Sequence, residues 1–302
     1  MNAVDTIELT RESSSGPLRA VVNPMGAGLE ALSVGSLQLI QVAAPESPRP
    51  FYSGVTLAPW PNRLARGEWT WEGEPLVLPV NDVEHRSALH GLVSNRVFSI
   101  DTATDESVSL SCAISDEPGY PFVIQISVRY RLTETGLESI LSATNVGNRP
   151  APVALGTHPF VCIGAHTARS LTLTTPVESE LLVDDHKVPY GITELHPDSP
   201  LGKTYRLADC EFDTTFRMHG AGPWRTIVES PEGTQVVVWQ DSSFRWLQLF
   251  VTDVFPGPDG PVSALAIEPM TAPPQAFATG EDITVLSTGQ DWSVTWGIDL
   301  VS

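Results

Sequence analysis

Between Phe122 and Leu132 the chain alternates. Phe122, Ile124, Ile126, Val128, Tyr130 and Leu132 are apolar or aromatic, and Val123, Gln125, Ser127, Arg129 and Arg131 stand between them. A period of two puts one set on a buried face, as in a half-buried strand. Thr133–Gly136 reads as a turn and Leu137–Asn145 as the returning strand of a hairpin. Further strands are expected at Arg96–Asp101, Val108–Ile114, Leu171–Thr174, Thr226–Glu229, Gln235–Trp239, Phe244–Val251, Ala264–Glu268 and Ser293–Ile298. Gln235–Trp239 and Phe244–Val251 are almost continuously apolar, which predicts strands covered on both faces. No apolar stripe of helical period runs beyond two turns, because 26 prolines and 23 glycines interrupt the chain too often. The proline-rich patches Ala44–Pro50 and Phe255–Pro261 read as loops rather than linkers. No repeat of fixed length and no low-complexity tract appears. The pattern predicts an all-β chain, a large antiparallel β-sandwich forming a single domain over residues 1–302.

Composition narrows the function more than the fold. The chain has 302 residues, 41% of them hydrophobic, enough for a real core. Seventeen Lys and Arg against 36 Asp and Glu give a formal charge of −19, and the only lysines are Lys187 and Lys203. Nucleic-acid phosphates need clustered cations, and an anionic membrane surface would repel this chain, so neither partner is expected. The acidity is read as solubility. Cys112, Cys162 and Cys210 are far apart and odd in number, which argues for reduced thiols rather than a disulfide framework or a CxxC metal site. The opening MNAVDTIELTRESSSG has no apolar stretch after a basic start, and no run nears 18 apolar residues. Neither a secretory leader nor a membrane span is expected, and a cytoplasmic location follows.

Four segments join ionisable side chains to backbone-constraining Pro or Gly. In Ala58-Pro-Trp-Pro-Asn-Arg63-Leu, two prolines fix the path around Trp60 and place Asn62 and Arg63 after a rigid turn. The plainer alternative is a surface loop with a solvated Arg. His90, in Leu89-His90-Gly91, is either a satisfied buried histidine or a pocket group. His158, in Gly156-Thr-His158-Pro159-Phe160, is biased by its following proline to a strand end or a kink. Glu268 lies in Leu265-Ala-Ile-Glu268-Pro-Met-Thr-Ala-Pro-Pro-Gln-Ala-Phe277, after an apolar strand. Burial there would raise its pKa, as a general base near neutrality requires; exposure at the strand end is the alternative. A weaker fifth segment sets Asp213 between Phe212 and Phe216. Trp60 offers an aromatic stacking surface, though so large a side chain is more often core. HExxH, GxSxG, GxGxxG and GxxxxGK[ST] are all missing, which argues against a zincin, a hydrolase elbow and phosphate-cradling loops of those types, and His85 and His90 have no recognised metal spacing, so no metal is expected.

Taken in order, Asn62-Arg63-Leu64, Leu89-His90-Gly91, Thr157-His158-Pro159-Phe160, Asp213 and Ile267-Glu268-Pro269 resemble the aldose 1-epimerase (galactose mutarotase) family. The ending EPMTAPPQAF is similar to its bacterial aldose 1-epimerase-like branch. The resemblance runs from about residue 60 to 277. It implies a large antiparallel sandwich and an isomerase that interconverts the α and β anomers of a hexose. It also implies a monosaccharide substrate, no cofactor, and a monomer or homodimer. Residue by residue, it implies Glu268 as catalytic base, His158 as general acid, Arg63, His90 and Asn62 as groups holding the sugar, and Asp213 as a carboxylate for its hydroxyls. Phe160 stands where the family often has Tyr.

A Glu beside a cationic His would lose pKa rather than gain it. Glu268 and His158 are therefore expected on opposite sides of the pocket, about a sugar ring apart and bridged by substrate. One alternative is an epimerase for a 6-phosphorylated or sulfonated hexose, with Arg66, Arg86 or Arg96 as the added cation. Another is a non-catalytic sugar-binding protein on the same fold.

Overall fold

The computed structural model describes residues 5–301, apart from Pro48, Pro197, Asp198, Pro200 and Gly202. The first four residues of the leader argument and Pro48 of the Ala44–Pro50 loop lie outside the described residues. The described residues are almost entirely β, and the α-helix among them is a single turn at Ala276–Thr279.

Two large antiparallel sheets carry the fold. The first has nine strands in the order Ser99–Ala103, Ser107–Glu117, Tyr120–Leu132, Gly136–Asn145, Asp291–Val301, Gln235–Gln240, Trp224–Glu229, Thr172–Thr174 and Tyr205–Arg206. Tyr120–Leu132 shows the burial alternation that its sequence predicts. The second runs Pro189–Glu194, Val177–Val183, Asp213–Met218, Trp246–Gly257, Gly260–Met270, Gly156–Thr157 and Thr56–Leu57, with Phe160–Val161 also paired to Gly260–Met270. A four-stranded meander, Ile7–Arg11, Leu18–Asn23, Gly28–Val34 and Leu37–Gln38, precedes them. Leu110, Ile124, Val128 and Trp296 of the first sheet join Leu247, Leu249, Leu265 and Ile267 of the second in one apolar core, to which the meander adds Leu9, Leu18 and Leu32.

Alternation in the second sheet positions the site. Leu247, Leu249 and Val251 enter the core, so Gln248 and Phe250 take the opposite face. Leu265 and Ile267 likewise enter it, which turns Ala266 and Glu268 the other way. That outer face is itself covered. Phe160, Phe255, Ala264 and Ala266 form a second buried cluster, with Phe250 packed against it. The near-continuous apolarity of Phe244–Val251 is thus a strand buried on both sides, as its sequence predicts.

Phe255–Pro261 departs from the expected loop. Strand pairing continues through Phe255↔Val262 and Pro256↔Pro261 to Gly257↔Gly260, leaving only Pro258 and Asp259 as the turn. Burial of Phe255 against Phe160, ring centroids 4.8 Å apart, outweighs the turn propensity of the prolines. Trp60 is core. It is buried against Phe277 at 5.6 Å, and its Nε1 donates to the Ala88 carbonyl.

Leu249→Ala empties core volume and should cost about 2–5 kcal/mol of stability in urea unfolding. A loss below about 1 kcal/mol would show that Leu249 does not hold the sheets together.

Candidate active site

Glu268, in the strand Gly260–Met270, is cross-strand partner of Gln248, and Gln248 is partner of Thr215 in the next strand. The three lie in one row across the sheet. Thr215 Oγ1 donates to Gln248 Oε1 at 2.5 Å, and Gln248 Nε2 donates to Asp213 Oδ1 at 2.8 Å. Asp213 Oδ2 pairs with Lys187 Nζ at 2.8 Å. Lys187 sits in the turn between Val177–Val183 and Pro189–Glu194.

His158 falls between the short strands Gly156–Thr157 and Phe160–Val161, the kink its proline predicts. Its backbone is tied on both sides. Gly54 N–H donates to the His158 carbonyl at 2.8 Å, and Ile267 N–H to the Pro159 carbonyl at 3.1 Å. The second bond fixes His158 to the strand that carries Glu268. His158 Nε2 lies 3.3 Å from Glu268 Oε1. This corrects the expectation of two groups on opposite sides of the pocket. That expectation weighed their mutual attraction and neglected burial, which here governs both. They are 4% and 2% exposed. Burial pushes Glu268 well above the ordinary carboxylate range, with Asp213 adding to the rise and Arg63 opposing it. Burial also pushes His158 down to about 3. The Phe160 ring stacks on the imidazole at 5.4 Å and supplies part of that apolar surrounding.

Asn62 and His90 face each other as a reciprocal pair. His90 N–H donates to the Asn62 carbonyl at 3.0 Å, and Asn62 N–H donates to His90 Nδ1 at 3.2 Å. Both residues have left-handed backbones, φ 57° and 60°, which the short polar Asn tolerates well. Gly91 follows at φ 73°, where a Cβ would lie 2.1 Å from the Ala58 carbonyl oxygen, so only glycine fits. Asn62 Nδ2 reaches Gln248 Oε1 at 3.3 Å, which links this loop to the row on the sheet. The His90 ring meets His158 edge-on at 5.3 Å and Tyr52 at 4.8 Å. Burial, then His158 and Arg63, holds His90 well below the ordinary histidine value. His90 is therefore neutral. With Nδ1 accepting from Asn62, its proton sits on Nε2, which is a fixed donor.

Arg63, next to Asn62, donates through Nε to Asp82 Oδ2 at 2.8 Å. Asp213, Asn62, His90, His158 and Glu268 are thus joined by contacts through Gln248, with Arg63 adjacent through the chain. Arg96 lies elsewhere, bound to Glu117 at 2.5 Å and to the Ala113 carbonyl. Arg66 is exposed and paired with Glu68. Arg86 has a left-handed backbone at φ 53°, and its carbonyl accepts from Arg66 N–H at 2.7 Å.

Gln248 escapes sequence reading as a functional candidate, although a lone amide inside the run Trp246–Val251 is the signal that could have found it. Asp82 and Tyr52 carry no such signal. His90, His158 and Glu268 each offer one ligand atom within 4.8 Å of the others, the spacing of a loose metal site. The single ring lone pair of neutral His90 is taken by Asn62 N–H, so the trio lacks a third free donor as it stands.

The fold matches that of sugar-epimerase structures. The model superposes on a GalM/aldose epimerase homologue from C. elegans with a TM-score of 0.84 at 18% identity, covering 99% of this chain and all of that one. It matches a galactose 1-epimerase from Lactobacillus acidophilus at 0.81 and 20% identity, covering 100% of this chain and 97% of the other. Both likenesses concern the fold. The Aldose 1-epimerase family model matches residues 7–298, and the chain belongs to that family, as an isomerase acting on sugars. Its sequence is also 30% identical over 282 residues to the uncharacterised protein YihR of Escherichia coli K12, covering 92% of this chain and 88% of that one. No helix among the described residues is long and apolar enough to cross a membrane.

The burial of His158 has a consequence for stability. Its folded pKa of about 3 lies below the ordinary 6.5, so the unfolded chain takes up this proton first as pH falls. Stability is fully present above 6.5 and declines toward 3, by up to about 1.4 kcal/mol per pH unit for this group. His90, also depressed, adds to the slope. His158→Asn should flatten the decline in urea melts between pH 6.5 and 4. Equal slopes in the two proteins would show that His158 is not buried neutral.

Proposed function

We propose that this protein interconverts the α and β anomers of a hexose by ring opening, with Glu268 as general base and His158 as general acid. The observation that carries the reading is the buried Glu268–His158 contact at 3.3 Å, with two vacant partners. Glu268 Oε2 and His158 Nδ1 are buried without a hydrogen-bond partner among the described residues. Together the two groups hold one proton at neutral pH; it rests on Glu268, which burial raises, and passes across the contact to His158 to give the reactive tautomer.

Ring opening needs the proton removed from the C1 hydroxyl and a proton supplied to the ring oxygen. Both oxygens are bonded to C1, so an acid and a base side by side can serve both. In the forward step Glu268 takes the hydroxyl proton, His158 gives its own to the ring oxygen, and the C1 carbonyl forms as the ring bond breaks. The pair has then passed from one tautomer to the other with no change in its charge. Rotation about C1–C2 and reclosure on the other face reverse the transfers. His90 Nε2–H and the Arg63 guanidinium are the donors toward the sugar oxygens. Asp213, Gln248 and Asn62 take its hydroxyls. A cytoplasmic location, a free monosaccharide as substrate, operation without a cofactor, and a single domain spanning the chain belong to the same reading.

The test is anomer exchange followed by NMR saturation transfer or polarimetry on glucose, galactose, glucose 6-phosphate and a sulfonated hexose. The wild type should accelerate exchange of a neutral sugar. Glu268→Gln and His158→Asn should each lower kcat by about 10²–10⁴-fold. The double variant should fall little further, because the two act as a unit. Wild-type rates in Glu268→Gln would remove the base assignment, and no acceleration of any sugar by folded protein would overturn the reading.

A further inference from the structure

We infer that Asp82 is a positioning residue for the reaction, setting the guanidinium of Arg63 toward the sugar, with His85 holding Asp82 in turn. The inference rests on the reading of Arg63 as a sugar-binding group.

The loop that carries Asp82 is sewn to the hairpin that carries Arg63. Arg63 is the register partner of Leu89 in the two-stranded ladder Arg63–Ala65 with Ser87–Leu89. Asn81 brackets Leu89 with its side chain: Leu89 N–H donates to Asn81 Oδ1 at 2.7 Å, and Asn81 Nδ2 donates to the Leu89 carbonyl at 3.0 Å. Asp82 then pairs with Ser87 through backbone bonds in both directions, 3.0 and 2.9 Å. Seven residues, 81–87, are closed into a fixed loop whose Asp82 faces Arg63.

Asp82 uses both oxygens. Oδ1 accepts from His85 N–H at 3.2 Å, and the His85 ring nitrogen Nδ1 lies 3.1 and 3.0 Å from the two oxygens. Oδ2 takes Arg63 Nε. The Asp82 and Arg63 side chains are only 10% and 16% exposed. Burial alone would raise the Asp82 carboxyl, yet the bonds from Arg63 and His85 hold it below the ordinary range, so it is a full anion. A single bond at Nε, rather than a fork across the outer nitrogens, is what makes this arrangement directional. It fixes the plane of the guanidinium and leaves Nη1 and Nη2 without a partner among the described residues. Four N–H groups remain for ligand oxygens. An Asp bound to the outer nitrogens would have consumed them.

A double-mutant cycle tests this with Asp82→Asn, Arg63→Ala and the pair, read by NMR exchange kinetics and sugar binding on the full chain. Asp82→Asn keeps the side-chain shape and loses the charge. It should lower kcat/KM by about 10–100-fold, the scale of a misplaced binding group. In the Arg63→Ala background the same change should cost less than about twofold, since the group it positions is gone. A structural role for the loop would instead cost the same in both backgrounds, and that additive result overturns the inference. So does an Asp82→Asn enzyme within twofold of wild type. Should Arg63→Ala itself keep wild-type binding and turnover, the reading of Arg63 falls, and this inference with it. His85→Ala, which leaves Asp82 and Arg63 in place, should reproduce a smaller loss that likewise vanishes without Arg63.

Discussion

A carboxyl group in the middle of a sheet, with an imidazole as its nearest ionisable neighbour, constrains everything around it. An isolated buried carboxylate is too costly to persist, and such a group ordinarily takes a proton or a cation. Here Arg63 is near enough to oppose the rise in proton affinity of Glu268, but it is committed through Nε to Asp82. His158, stacked on Phe160, is itself too buried to carry a charge cheaply. The stable arrangement is one proton between two groups. The apolar cover over the outer face of the sheet, Phe160 with Phe255 and Phe250, is what keeps that proton from being settled by solvent.

Two separate backbone devices bring the groups to one place. On the sheet the period of two suffices: with Leu247, Leu249, Leu265 and Ile267 in the core, Gln248 and Glu268 have no other face to occupy. Off the sheet the device is a pair of left-handed residues, Asn62 and His90, joined by reciprocal bonds over a glycine that no other residue can replace. The first device sets where Gln248 and Glu268 stand. The second sets which nitrogen of His90 carries a proton. Because a backbone N–H makes that choice, it does not depend on what is bound.

The strands are legible where the hydrophobic pattern is strong, as at Phe122–Leu132 and Phe244–Val251. They were misread where local chemistry argued otherwise, as at Phe255–Pro261. His158 and Glu268 stood out because Pro and an apolar strand constrain them within a few residues of sequence. Their distance did not, because it is fixed by Pro159 bonding to Ile267 across the sheet, and no local pattern encodes that register. Gln248 was visible only as an interruption in an apolar run. Asp82 is invisible, since its place beside Arg63 arises from Asn81 and Ser87 closing a loop onto Leu89, and an Asp in a polar segment reads as an ordinary exposed residue.

The adjacency of Glu268 and His158 bears on the chemistry in a way that separation would not. Groups a sugar ring apart would each have to hold a charge of their own in a buried site before the sugar arrives, a buried carboxylate and a buried imidazolium with no partner in contact. Groups in contact exchange one proton between two tautomers, and the reverse step on the other face of the sugar restores the first. An isomerisation with near-equal end states gains most from such a pair, because the enzyme leaves each half-reaction ready for the return. On the proposed reading, burial raises Glu268 and lowers His158, so the pair keeps a single proton that rests on Glu268 and is lent to His158 for the step.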